Sequence, residues 1–77
     1  SVSVNKDVLR RRLLRYGLSE TKIDEIAKMF ETNNRHLNVV QFVLKLQNYG
    51  VIRDNLSDLL KEMGVDDTTI INIFNAV

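Results

Sequence analysis

The fold class of this chain is decided by the stretch Leu56-Ser57-Asp58-Leu59-Leu60-Lys61-Glu62-Met63-Gly64-Val65-Asp66. Its apolar residues at positions 56, 59, 60 and 63 have the spacing of one face of an α-helix. Gly64 ends that helix, because a glycine followed by an apolar residue turns the chain back onto the helix's own apolar face. Asp66 is a residue type that accepts hydrogen bonds from the first turn of a new helix. The stretch therefore predicts a helix, a glycine turn and a second helix.

Two other glycines carry the same pattern. Gly17-Leu18 and Gly50-Val51 are also followed by apolar residues at the sixth, ninth and thirteenth positions after the glycine. These positions form the buried stripe of a following helix. The glycines are 33 and then 14 residues apart, so we interpret the pattern as recurrent helix–glycine–helix punctuation rather than as a solenoid repeat.

Periodicity and capping residues predict five helices. The third predicted helix is apolar nearly all round, which predicts a central position in the fold. The alternative interpretation of this segment is a β-strand. The second predicted helix is expected to bury Phe30. The predicted helices span about 6–16, about 20–33, about 37–49, a fourth from Asp54 or Asn55 to Gly64, and a fifth from Asp66 onward, with Asn5 and Ser19 as caps of the first two.

The prediction is an all-α fold: a compact bundle of about five short helices with glycine C-caps. A single helical domain over residues 1–77 accounts for the whole chain. The sequence begins at Ser1 without an initiator methionine and stops at Val77 inside an amphipathic pattern. We therefore expect this domain to be excised from a larger protein.

Composition excludes several classes of function. The 77 residues include no Cys and no Pro, 44% are hydrophobic, and the formal net charge is +1. Without cysteine there is no disulfide, no thiol nucleophile and no cysteine metal site. No apolar run approaches the roughly 20 residues that a transmembrane helix needs. We expect a soluble, intracellular domain with no membrane partner.

Residues that carry chemistry are sparse. The lone His36 lies in a predicted loop, and the isolated glycines form no phosphate-binding loop. Paired acidic residues such as Asp66 and Asp67 stand where helix N-termini favour negative charge. We predict no catalytic residue, no cofactor and no metal site, and we expect that the protein is not an enzyme.

Charge is segregated along the chain. Residues 1–16 carry five basic residues and one acidic residue, whereas residues 54–77 carry five acidic residues and one basic residue. On the first helix Arg11, Arg12 and Arg15 project within about 100° of one another, opposite the apolar stripe. The sequence therefore predicts a positive patch.

Three interpretations of this patch stay open. It is a solvated face that pairs with the acidic fourth and fifth helices, or it binds nucleic acid through phosphate contacts. In the third interpretation it recognises an acidic protein partner, or supports weak self-association. The nucleic-acid alternative uses Arg10, Arg11, Arg12 and Arg15.

Several apolar residues fall outside the principal stripes, so they are either ordinary core residues or part of an uncovered face, and the second interpretation predicts a binding surface. An amphipathic helix or an acidic linear motif of a partner would enter a groove there, steered by the basic first helix. The predicted partner-binding residues are Arg11, Arg12, Leu14, Arg15, Tyr49 and Ile52.

Apolar spacing in the third to fifth helices resembles a known family. Asn38-Val39, Val43 and Leu46, followed by Leu59, Val65 and Phe74, are similar to the central and C-terminal helices of harmonin-homology domains. That resemblance implies a five-helix scaffold or adaptor module that receives a helix or short motif. Leu59-Leu60-Lys61-Glu62-Met63-Gly64-Val65 is similar to the end of sterile-alpha-motif domains, and Gly17-Leu18-Ser19 with Ile23 and Ile26 resembles mitochondrial terminator-like repeats.

The function predicted from the sequence is non-catalytic protein–protein interaction, as an adaptor or scaffold module that binds a partner helix or linear motif in an apolar groove. The alternative is a nucleic-acid-binding helical domain that uses its basic first helix.

Overall fold

Five α-helices form the chain in the computed structural model, which describes the backbone of residues 5–32 and 39–77 and the side chains of residues 5–29 and 39–77. No strand occurs within these ranges. The prediction of an all-α bundle of five short helices is confirmed. The helices are α1 (Lys6–Arg15), α2 (Glu20–Thr32), α3 (Val39–Asn48), α4 (Arg53–Glu62) and α5 (Asp67–Ala76).

Some predictions lie outside the described residues. They are the side-chain burial of Phe30, the helix start at residue 37 and the loop position of His36.

Side-chain caps open three of the helices as predicted, and the Ser19 hydroxyl caps α2 by accepting from the N–H of Lys22 at 3.4 Å. The Asn5 side chain accepts hydrogen bonds from the backbone N–H groups of Asp7 at 2.9 Å and Val8 at 3.3 Å. The Asp66 side chain accepts from the Thr69 N–H at 2.8 Å, and hydrogen bonds from the side chain and then the backbone of Thr69 lower the pKa of Asp66 below its ordinary value. All three side chains satisfy donors that have no partner within the helix.

The predicted start of α4 at Asp54 or Asn55 is wrong. The helix begins at Arg53, and its N-cap is Ile52, whose extended backbone provides no side-chain hydrogen bond. The physical reason is the preceding turn, because Val51 is buried there and the helix resumes only two residues later. Asp54 instead contributes a negative charge to the first turn, where the helix dipole favours it.

The glycine turns are confirmed as C-caps and share one geometry. Each glycine has a positive φ, between 87° and 93°, and its N–H donates to a carbonyl three residues earlier. The apolar residue after the glycine donates to a leucine carbonyl five residues earlier, as in a Schellman motif. These second bonds are Leu18 to Leu13 at 3.1 Å, Val51 to Leu46 at 3.0 Å and Val65 to Leu60 at 3.0 Å.

Helix α3 lies at the centre of the bundle, as its apolar circumference predicts. It packs against α2, α4 and α5, whereas α1 packs mainly on α2. Phe42, Val43 and Leu46 of α3 are fully buried, and every buried side chain among the described residues is apolar. The radius of gyration of 11.4 Å matches the roughly 11.5 Å expected for a folded chain of this length.

We expect Gly50→Ala to lower the free energy of unfolding by about 1 kcal/mol. A Cβ at Gly50 would meet open space, so the loss comes from the φ of +90° and not from a steric clash. Urea unfolding followed by circular dichroism measures it. The control is Gln47→Ala, at an exposed helical position one turn earlier. Equal stability of the two variants would show that the left-handed turn carries no strain for alanine.

Candidate functional site

The outward face of α1 lines an open cleft. Arg11, Arg12 and Arg15 lie three, four and seven residues after Val8, so the four residues share one side of the helix. With Glu62 of α4 they enclose about 200 Å³. We call this feature the basic cleft. The opposite side of α1 is buried through Leu9 and Leu13.

Two contacts bring α4 alongside α1. The hydroxyl of Tyr16 donates to the backbone carbonyl of Asn55 at 3.3 Å, and Arg12 donates to the Glu62 carboxylate at 3.1 Å. The first contact joins the end of α1 to the beginning of α4, and the second joins the middle of α1 to the end of α4. These side-chain contacts link α1 to α4, and Glu62 is the residue that α4 contributes to the lining of the basic cleft.

The three arginines of the basic cleft differ in availability. Arg12 is 25% exposed and donates to the Tyr16 hydroxyl at 3.1 Å as well as to Glu62. The hydrogen bond with Tyr16, supported by the charges of Glu62 and Asp58, raises the pKa of Arg12 above its ordinary value. Arg12 is thus held in place by the fold.

Arg11 and Arg15 are exposed. The Nε of Arg11 lies 3.4 Å from the backbone carbonyl of Asp7, a contact within α1 itself. Arg15 makes no hydrogen bond or ion pair with any residue in the described ranges. These two guanidinium groups stand one helical turn apart at the mouth of the basic cleft, and they are the ones that a ligand can reach first.

Arg10 lies on a different side of α1. It forms an ion pair with Glu20 and a second one with Asp24 at 3.6 Å, both on α2. The four arginines of the nucleic-acid alternative therefore do not form one surface: three line the basic cleft, and Arg10 holds α1 to α2.

The predicted partner-binding residues also lie on more than one part of the surface. Leu14 is 44% exposed and lies between Arg10 and Arg11 on the helix surface, outside the lining of the basic cleft. Ile52 is 61% exposed but lies at the start of α4, next to Arg53, whose guanidinium stacks 4.5 Å from the ring of Phe74. The partner-binding role of all six residues stays a prediction.

Tyr49 is occupied by contacts within the bundle. Its hydroxyl is hydrogen-bonded to the carboxylate of Glu25 on α2. The ammonium groups of Lys22 and Lys45 lie 5.0 and 5.5 Å from its ring centroid, within the range of cation–π attraction. Tyr49 therefore joins α2 to α3, on helices that do not line the basic cleft.

Sequence reasoning missed Glu62 as a residue of the basic cleft. It is 50 positions from Arg12, and no spacing rule connects the two. The contact between Arg12 and Tyr16 can be predicted from the sequence, because residues four apart are neighbours on a helix.

Within the described ranges, no three His, Asp or Glu side chains come together as a metal site would require. None of the described helices has the length and apolar character needed to cross a membrane. No family model, curated protein or solved structure matches this chain. The resemblances drawn from the sequence therefore stay predictions.

We expect Tyr49→Phe to lower stability most near neutral pH. The hydrogen bond between Tyr49 and Glu25 lowers the pKa of Glu25 below its ordinary 4.5 and raises the pKa of Tyr49 above its ordinary 10.0. The Glu25 carboxylate therefore contributes to stability above its ordinary pKa. This contribution is lost as the pH falls through the lowered pKa of Glu25 in the folded protein. The phenol's contribution is present below its ordinary pKa and is lost as the pH rises through its raised value.

Chemical unfolding of the wild type and Tyr49→Phe across this pH range measures the difference. It should be constant at intermediate pH and shrink at both extremes. No difference at any pH would mean that Tyr49 stabilises the bundle through its ring alone, and a constant difference would mean that the hydroxyl acts independently of the Glu25 carboxylate.

Proposed function

We propose that this domain is a non-catalytic protein-interaction module whose basic cleft holds an acidic segment of a partner protein. The supporting observation is the row of Arg11 and Arg15 in the cleft lining, with the exposed Leu14 one turn from Arg11 on the same helix. In this proposal the module acts as an adaptor or scaffold domain of a larger intracellular protein.

The geometry of the arginine row favours a helical partner segment. Arg11 and Arg15 are four residues apart, so their positions are about 6 Å apart along α1. Two carboxylates spaced four residues apart on a partner helix have the same separation. Each guanidinium presents its N–H donors in a planar fork that matches a carboxylate. A partner helix with acidic residues one turn apart therefore fits the row.

Apolar contacts would supply the rest of the affinity. Exposed ion pairs contribute only about 0.2–1 kcal/mol each, so charge alone gives weak binding. Leu14 and the half-buried Val8 flank Arg11 on α1. Leucine or isoleucine residues next to the partner's carboxylates would cover them and remove apolar surface from water. The charges set orientation and association rate, and the apolar contacts prolong the complex.

The internal ion pairs favour a protein partner over nucleic acid. Arg10 and Arg12 already hold carboxylates, which leaves two readily available arginines for phosphates. Binding of duplex DNA through many phosphates would lower log affinity by about 0.9 per phosphate for each unit of log salt. Contacts with only two phosphates would make the affinity depend much less on salt concentration.

A designed probe tests the proposal. The acidic probe peptide is a helical peptide with a stripe of glutamates beside a stripe of leucines, and its control has glutamines in place of the glutamates. We expect the folded domain to bind the acidic probe peptide more tightly, with amide shifts on α1 in an NMR titration. Arg15→Gln should weaken this binding about threefold, the value of one exposed ion pair.

Arg10→Gln is the matched control, because it removes the same charge from the same helix outside the basic cleft. It should weaken binding less than Arg15→Gln. Equal effects of the two variants, or equal affinity for both peptides, would contradict the proposal. Tighter binding to duplex DNA, with a steep salt dependence and shifts on α1, would replace it with the nucleic-acid function.

A further inference from the structure

Glu62 has an unusual position for an acidic residue in this fold. It is the last residue of α4, where the helix dipole disfavours negative charge. Asp58 lies one turn earlier on the same helix, so two like charges are neighbours. Nothing within α4 favours a carboxylate at position 62.

The favourable partner of Glu62 lies across the basic cleft. Its carboxylate lies 3.1 Å from a terminal nitrogen of Arg12, and the Glu62 side chain is 46% exposed. A carboxylate on a cleft arginine is the same contact that the proposed partner would make. At this exposure the ion pair is weak and exchangeable.

We infer that Glu62 is an internal competitor that occupies the basic cleft until an acidic partner segment displaces it. This inference rests on the proposed function of the cleft. The partner's carboxylate exchanges with Glu62 on Arg12, while Arg11 and Arg15 bind further carboxylates. Displacement consumes part of the binding free energy, so Glu62 keeps the complex weak and reversible.

The fold keeps Arg12 ready for this exchange. Tyr16 is hydrogen-bonded both to Arg12 and to the carbonyl of Asn55, so the guanidinium has a second anchor that does not depend on Glu62. Removing the Glu62 charge therefore leaves Arg12 positioned and still charged.

The test compares two variants that remove the same charge. Glu62→Gln keeps the size of the side chain and removes the competitor. Glu20→Gln also removes one negative charge, but from the Arg10 ion pair outside the basic cleft. We expect Glu62→Gln to bind the acidic probe peptide about threefold more tightly than the wild type, which corresponds to one exposed ion pair. The affinity of Glu20→Gln for the acidic probe peptide should differ less from that of the wild type. High salt should reduce the effects of both substitutions.

The outcomes separate the inference from the proposed function. Equal affinities of Glu62→Gln and Glu20→Gln, with clear binding by the wild type, would overturn the competitor role and leave the binding site standing. Weaker binding by Glu62→Gln would overturn it by making Glu62 part of the ligand-binding surface. Binding by none of the three proteins would overturn the proposed function itself. Circular dichroism checks that each variant is folded, and Glu62→Ala is a second variant with the same expected direction.

Discussion

The bundle depends on a backbone constraint that occurs three times: a left-handed glycine that ends a helix and returns the next side chain to the core. The returning residues Leu18, Val51 and Val65 are buried, and each donates a hydrogen bond to the carbonyl of a fully buried leucine in the preceding helix. Such a turn joins two helices through very few residues, which obliges them to pack closely. A chain of 77 residues without disulfides has only one core, so close packing at these turns determines whether it folds.

The same packing creates the surface that we assign to binding. Leu9 and Leu13 bury one side of α1, which leaves the side with Val8, Arg11 and Arg15 facing outward. The buried leucines of α4 fix that helix in turn, and its Glu62 reaches Arg12 of α1. The basic cleft is therefore a consequence of core packing rather than a separate structural device.

Ion pairs between helices decide which charges remain available to a ligand. Exposed pairs add little to stability, and those in this protein are largely exposed. Their effect is instead to commit particular side chains, since Arg10 is held by α2 and Arg12 by α4. Arg15 has no such commitment among the described residues. The arginines of α1 look alike in the sequence, but the fold commits some of them to ion pairs and leaves others available to a ligand. The Glu62 carboxylate of the same chain also becomes part of the proposed binding surface.

Local rules determine most of the fold. The sequence by itself predicts the number of helices, the caps Asn5 and Asp66, the glycine turns and the central place of α3, because these depend on residues within one or two helical turns. It misplaced the start of α4, where burial of Val51 overrides the capping preference of Asp54. It also predicted the basic face of α1, which follows from helical periodicity alone, but it left open whether Leu14 is buried or exposed. Only the tertiary structure decided that Tyr49 is committed to Glu25 and that Glu62 reaches Arg12, because those pairs are 24 and 50 residues apart and meet only when the helices pack.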